Sequence, residues 1–378
     1  MLQRQSTPRS ATVRRFKRSN SEWPITWGSS AYATPLIFVT AIPHTGADLL
    51  VRMLGAHSAV KAFEELHFFD DLCEPLDLRR KFNERDLTEL AASLVARQNH
   101  GLWGGRLSSV ERSWGRRIVD RLALEERTPA GVFGACLGRL AADAGKVWAC
   151  EQTPQNIFLG RRLLELFPNA VLVYVIRDPR SVLAEYKNAS KPGHARMPKV
   201  PLMRRLQNRL NSHPIAISKA WLQASEQAAR LDGHSRFFLL RHEDLHTDAE
   251  RSAKSLCNAL RLPFEPEMIE VTRWGGTARK DGVEQATVDG SRELHWRAHL
   301  TRDEVLVCEA ITQPMLQGFG YSAEFPEQSG ALSALPQRLS YPLHLAAAAA
   351  VAPRRVWALF RSILRRQCRR PIAKKMRH

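Results

Sequence analysis

The chain has 378 residues, 44% of them apolar, enough to bury a sizeable core, and it carries a net charge of +18. That charge is concentrated at the ends, with +5 in residues 1–22 and +10 in residues 354–378, so residues 23–353 stand near +3. A body this close to neutral excludes a domain built around a nucleic-acid footprint, and six cysteines with no Cys-x-x-Cys spacing exclude a disulfide scaffold and favour reduced thiols in a cytoplasmic protein.

Residues 1–33 are basic, bear Ser and Thr, and have neither an apolar core nor the hydrophobic segment of a secretion signal, so a disordered tail is expected. Leu36–Thr40 is apolar and β-branched, a strand. A loop with Pro43, Thr45 and Gly46 follows, then a helix with Leu49, Leu50, Met53 and Leu54 on one side, ending near Gly55. Backbone N–H groups in such a turn form a concave anion site that the helix dipole reinforces. No Gly-Lys-Ser/Thr closes the loop, so it reads either as a phosphate loop of another kind or as an ordinary connection, and a nucleotide kinase of the Walker type is disfavoured. Glu64, Glu65 and Asp70 form either a catalytic segment or a solvated acidic turn. If the backbone is extended there, the side chains of Glu65 and His67 share a face.

Helical runs cover Leu87–Ala96, Ile157–Leu166, Ile215–Leu231, Ala249–Leu260 and Arg302–Ile311, and further strands are expected at Val147–Cys150, Val171–Ile176 and Phe237–Leu240. The unbroken apolar run Val171–Ile176 reads as a strand buried on both faces. Arg177 and Asp178 stand at its carboxyl end, and Pro179 opens a helix with Val182, Leu183 and Tyr186 on one face. Ligands of open α/β sheets bind beyond the carboxyl ends of strands, where a guanidinium suits a phosphate. Capping its own helix, or pairing with Asp178, is the other reading of Arg177. The proline-broken stretch between Lys187 and Pro214 is basic, facing either an acidic acceptor or solvent. His295 and His299 are four apart with no third ligand suggested, so no metal is expected. Leu345–Pro353 is too short to span a bilayer and reads as a linker helix ended by Pro353. In residues 354–378, Val356, Trp357, Leu359, Phe360, Ile363 and Leu364 recur at helical spacing among arginines, as in a helix lying on an anionic membrane surface. Alternating strands and helices predict an α/β, P-loop-like three-layer fold with a central parallel sheet flanked by helices. It would occupy residues 34–325, with a linker over 326–353 and the basic tail over 354–378.

Taken together, Pro43–Asp48 and Arg177-Asp178-Pro179 resemble the two nucleotide-binding segments of the sulfotransferases that use 3′-phosphoadenosine 5′-phosphosulfate (PAPS). Further segments resemble that family in the same order: Glu65–Asp70, Glu151–Pro154, Leu166–Ala170, Arg241–Leu245, Trp296-Arg297 and Gly318–Tyr321. The resemblance implies PAPS as co-substrate, with no metal. It also implies that His44, Thr45, Gly46, Ala47 and Asp48 meet the 5′-phosphosulfate. Arg177 and Glu185 would meet the 3′-phosphate, and His242 would stand in the same site. Glu65 matches the base of carbohydrate sulfotransferases, with His67 in reserve and His44 at the position that neutralises the bridging phosphate. The implied acceptor is a hydroxyl of a carbohydrate or glycolipid.

Several residues depart from the family pattern. His44 replaces Arg or Lys, Ala47 and Asp48 replace two hydroxyl residues, Gln152 replaces Lys, Glu185 replaces Ser and His242 replaces Tyr. These departures frame the alternative: a degenerate member that binds a ligand without turnover.

Overall fold

The computed structural model describes residues 30–73, 78–101, 106–189, 213–273, 296–325 and 335–351. Most of the basic N-terminal tail, most of the basic stretch between Lys187 and Pro214, His295, Pro353, Cys368 and the amphipathic segment 354–378 lie outside them. In chain order the elements are β1 (Leu36–Thr40), α1 (Ala47–Ala56), β2 (Val60–Phe63), α2 (Glu84–His100), α3 (Ser109–Arg121), α4 (Pro129–Asp143), β3 (Trp148–Gln152), α5 (Gly160–Leu166), β4 (Val171–Ile176) and α6 (Pro179–Ala189). They continue with α7 (Pro214–Ala229), β5 (Phe237–Arg241), α8 (His242–Thr247), α9 (Ala249–Leu260), α10 (Glu267–Arg273), α11 (Trp296–His299), α12 (Arg302–Leu316) and α13 (Leu335–Val351). The described residues divide into two compact units, one drawn from residues 30–178 and 222–273, the other from residues 179–189, 213–221 and 296–351.

The first unit holds the whole sheet, parallel throughout, in the order β2-β3-β1-β4-β5. Every residue of β1, β3 and β4 is buried, which explains the uninterrupted apolar or β-branched composition of β1 and β4, while β3 buries Glu151 and Gln152 at its carboxyl end. Side-chain alternation along β1 divides the core. Ile37 and Val39 face a cluster with Leu50, Met53 and Leu54 of α1, Leu256 and Leu260 of α9, and Met268 of α10. Phe38 points the other way and stacks on Phe133 of α4, ring centroids 5.9 Å apart, within an aromatic group that includes Phe68, Phe69 and Phe167. Helices thus cover both faces, giving the expected three layers. From β1 the chain crosses to β2 on one side, and from β4 to β5 on the other. The carboxyl ends of the adjacent strands β1 and β4 therefore mark the topological switch point, where open α/β sheets bind ligands.

The second unit contains α6, the start of α7, α11, α12 and α13. It contains a buried ion pair, Arg180 to Glu309 at 2.7 Å, with the Arg180 guanidinium 4.5 Å from the Trp296 ring centroid. Glu309 also accepts from the backbone N–H groups of Glu324 and Phe325, so the buried carboxylate is fully used. The described part of Leu345–Pro353 lies in α13, as expected of a helix. Among the described residues no helix is long and apolar enough to cross a membrane.

Two sequence expectations change. Residues 154–159 form a 3-10 turn, and only Gly160–Leu166 is α-helical, because Pro154 opens the segment and Gly160 lies against Leu172 and Leu231. The edge strand β2 and helices α3 and α4 were not expected. Beta2 has only four residues and includes Lys61.

Candidate active site

The loop between β1 and α1 is shaped by its backbone. His44 and Gly46 both have positive φ, 68° and 84°. A Cβ on Gly46 would stand 2.3 Å from the His242 imidazole, so only glycine fits there. Thr45 is buried and its hydroxyl donates to the Ile42 carbonyl at 2.9 Å, which locks the turn from within. Alpha1 begins directly after Gly46, and the first-turn amides of a helix have no internal partner. The loop therefore presents backbone N–H groups at a helix N-terminus, a cradle whose geometry suits an anion.

Arg177, buried at the end of β4, reaches the loop: its Nη1 donates to the His44 carbonyl at 3.2 Å. The two segments far apart in sequence thus meet at the switch point. His242 caps the cradle from α8. Its Nε2 lies 3.0 Å from His246 Nε2, while its Nδ1 is buried with no hydrogen-bond partner among the described residues. Burial, then Arg177 and His246, push the His242 pKa well below the ordinary histidine value, so the ring is neutral near pH 7. Glu243 next to it accepts from the Asp178 backbone N–H at 3.0 Å, and burial raises its pKa. The cradle at Gly46 and the orphaned Nδ1 of His242 both fit a phosphate-bearing ligand. Asp48, in the first turn of α1, accepts from Gln152 Nε2 at 2.8 Å. Two of the departures from the family pattern are therefore partners.

The second half of the site follows β2. Here the backbone is not extended: His67 has φ 46°, a left-handed turn, and Phe68–Leu72 forms one π-helical turn. The side chains of Glu65 and His67 nevertheless meet, with His67 Nε2 3.0 Å from Glu65 Oε2 and Nδ1 2.9 Å from Asp70 Oδ2. Burial pulls the His67 pKa down, but the hydrogen bonds to Asp70 and Glu65 and their charges outweigh it and raise the value to about 10. His67 is therefore an imidazolium held between two carboxylates. Glu65 is 44% exposed, so its carboxylate is open to a ligand. Arg97 of α2 fastens the segment from behind, donating to the carbonyls of Leu66 and His67 at 2.7 and 3.1 Å and pairing with Asp71.

Strand β3 joins the halves. Gln152 bonds to Asp48 in the loop, and the next residue, Thr153, accepts from the His67 backbone N–H at 3.1 Å. Consecutive residues at one strand end thus hold the anion cradle and the carboxylate–imidazole cluster side by side.

The sulfotransferase family model matches residues 35–266, well over half of the chain and all of the sheet. The chain belongs to the sulfotransferase family. Among solved structures similar to it, the sulfotransferase domain from the curacin biosynthetic pathway shares 18% identity with a TM-score of 0.51, over 76% of this chain and 98% of that one. Sulfotransferase STF9 from Mycobacterium avium shares 16% identity with a TM-score of 0.41, over 77% of this chain and 78% of that one. The first of these supports the fold. No curated protein matches the sequence.

Within this sulfotransferase the structure gathers His44, Thr45, Gly46, Ala47, Asp48, Arg177 and His242 around one loop, and Glu65 with His67 beside it. Glu185 is half-buried on α6 in the second unit. Three contributors were given no role from sequence: Arg97, and Thr153 and the buried Glu151, which lie in the Glu151–Pro154 segment that resembles the family. Their roles were hidden because each acts through backbone groups of a neighbouring segment.

Proposed function

We propose that this sulfotransferase moves a sulfonate group from PAPS to a hydroxyl of a carbohydrate or glycolipid. The observation that carries this reading is the pair Gln152 and Thr153, which sets an anion cradle beside an open carboxylate. Bound PAPS would supply the transferable sulfonate and a phosphate leaving group. The first-turn amides of α1, His44 and Arg177 would hold the negative charge that grows on the leaving side. In the tautomer where His246 donates to it, His242 carries a hydrogen on Nδ1 and donates to the bound phosphate.

Glu65 then acts as the general base. Its Oε2 is oriented by the His67 imidazolium, and Oε1 has no described partner, so Oε1 would take the acceptor's hydroxyl proton as the hydroxyl oxygen bonds to sulfur and the bond from sulfur to the leaving phosphate oxygen breaks. His67, already protonated, serves to orient Glu65 and to balance charge. The carbohydrate class rests on the likeness of Glu65–Asp70 to the carbohydrate sulfotransferases.

A second reading, ligand binding without turnover, is favoured by the Asp48 carboxylate in the first turn of α1, which would repel a bound phosphate. Calorimetric titration with 3′,5′-adenosine bisphosphate, followed by a sulfonate-transfer assay with PAPS and a panel of sugar acceptors, decides between them. Binding together with transfer supports the enzyme. Binding without transfer supports the second reading, and no binding at millimolar ligand removes the nucleotide from both.

A further inference from the structure

The mechanism above leaves the buried acid beside its own site unused. Glu151 lies on β3, 1% exposed, in the centre of the first unit. Its carboxylate is the meeting point of three donors: the Thr153 hydroxyl, Asn156 Nδ2 at 2.9 Å, and the backbone N–H of Leu66. Thr153 in turn accepts from the His67 N–H. Both backbone amides that follow Glu65 are therefore tied to this one carboxylate, Leu66 directly and His67 through a single hydroxyl.

We infer that Glu151 is a positioning residue, whose ionised carboxylate fixes the Leu66–His67 backbone and so aims Glu65 at the acceptor hydroxyl. This inference rests on the proposed role of Glu65. A buried carboxylate with no acid–base task is costly unless its hydrogen bonds specify a structure. Here they specify the left-handed turn at His67, a conformation that a non-glycine residue rarely holds unaided. The carbonyl side of the same two residues is held by Arg97, so the turn is gripped by an acid through its N–H groups and by a base through its C=O groups.

The ionised form is the one that accepts all three donors. Burial raises the Glu151 pKa to about 8, partly opposed by the hydrogen bonds from Thr153 and Leu66 and by the positive charge of His67. Asp70 adds a small upward push, and the Cys150 thiol on the same strand stays neutral because burial raises its own pKa. Turnover should accordingly rise with pH on a limb centred near 8.

The test uses the full chain and a measurement independent of activity. In Glu151→Gln, amide hydrogen exchange at Leu66 and His67 should quicken at least 10-fold. With PAPS and an accepted sugar, kcat measured above the limb should fall about 10-fold at unchanged KM for PAPS, and the limb near pH 8 should vanish. Should Glu151→Gln fail to fold, Thr153→Val removes only the relay. That variant should move the limb to higher pH, because an ionised-form donor is lost, and Thr153→Ser should restore it. Unchanged exchange at Leu66 and His67, or a pH limb that survives Glu151→Gln or ignores Thr153→Val, overturns the positioning role. Faster exchange in a protein that transfers no sulfonate removes the proposed activity while leaving the clamp on the turn established.

Discussion

The loop after β1 and the turn after β2 lie side by side, joined by Gln152 and Thr153, yet they are built by different means. The loop takes its shape from backbone dihedrals at His44 and Gly46 and from a helix N-terminus, and side chains only close it. The turn takes its shape from a side-chain network around His67 and Glu151. A site of the first kind is tuned by charge placed near it, and its affinity changes in modest steps. A site of the second kind depends on one group reaching one proton, and its rate collapses when that group is lost.

The sharpest break of this comparison is Glu65→Gln. The substitution keeps the shape and removes the proton acceptor, so turnover should fall roughly 100-fold or more while adenosine bisphosphate affinity stays within about twofold. Steady-state kinetics and calorimetry on the same preparation check both halves. A matched loss of affinity would show that the two regions are not separable.

Arg177→Ala addresses the loop. A charged hydrogen bond is worth roughly 1.5–3 kcal/mol, so nucleotide affinity should fall about 10- to 100-fold by calorimetry. Because Arg177 also holds the His44 carbonyl, a small drop in melting temperature should accompany it. An unchanged dissociation constant would place the phosphate elsewhere.

A smaller effect is expected at Asp48. Its carboxylate opposes a phosphate at the helix N-terminus, so Asp48→Thr should tighten adenosine bisphosphate binding by about fivefold, on the order of 1 kcal/mol, with the gain shrinking at high salt. The amide of Gln152 would then lose its acceptor, and Gln152→Lys in the same chain should add to the gain by placing a cation there. Weaker binding in Asp48→Thr would assign Asp48 a structural task in the loop.

The two regions also differ in how plainly the sequence showed them. Strands β1 and β4 fall on the expected residues, because a doubly buried parallel strand is an unbroken apolar run, and the loop was marked by Pro43 and Gly46 between strand and helix. Beta2 escaped because an edge strand of four residues with Lys61 has no periodicity to read. Alpha3 escaped because its apolar residues are few, although the pair Ser108 and Glu111 forms the capping box that announces it. In the site, Glu65 and His67 were visible as types at a spacing, but the left-handed turn that joins them was not. That turn is imposed by Glu151, Thr153 and Arg97: the first two stand in the Glu151–Pro154 segment that resembles the family, but neither that segment nor Arg97 carries a sign of the turn it holds. The pairing of Asp48 with Gln152 was equally hidden: two separate departures from the family pattern became one hydrogen bond only in three dimensions.

The last effect concerns stability rather than rate, and it tests whether the turn is held by charge. His67 is raised from the ordinary histidine value of 6.5 to about 10 in the folded protein, by hydrogen bonds to Asp70 and Glu65 that outweigh its burial. A base whose pKa rises on folding stabilises the fold fully below its unfolded value. The contribution is then lost as pH climbs through the folded value. Melting temperature should therefore fall progressively from about pH 6.5 to pH 10, and His67→Gln should flatten that part of the profile while lowering stability most at pH 6. The loop contributes no such slope, since His242 is already neutral near pH 7. A His67→Gln profile parallel to the parent's between pH 6.5 and 10 would show that the turn is held by its backbone after all, like the loop beside it.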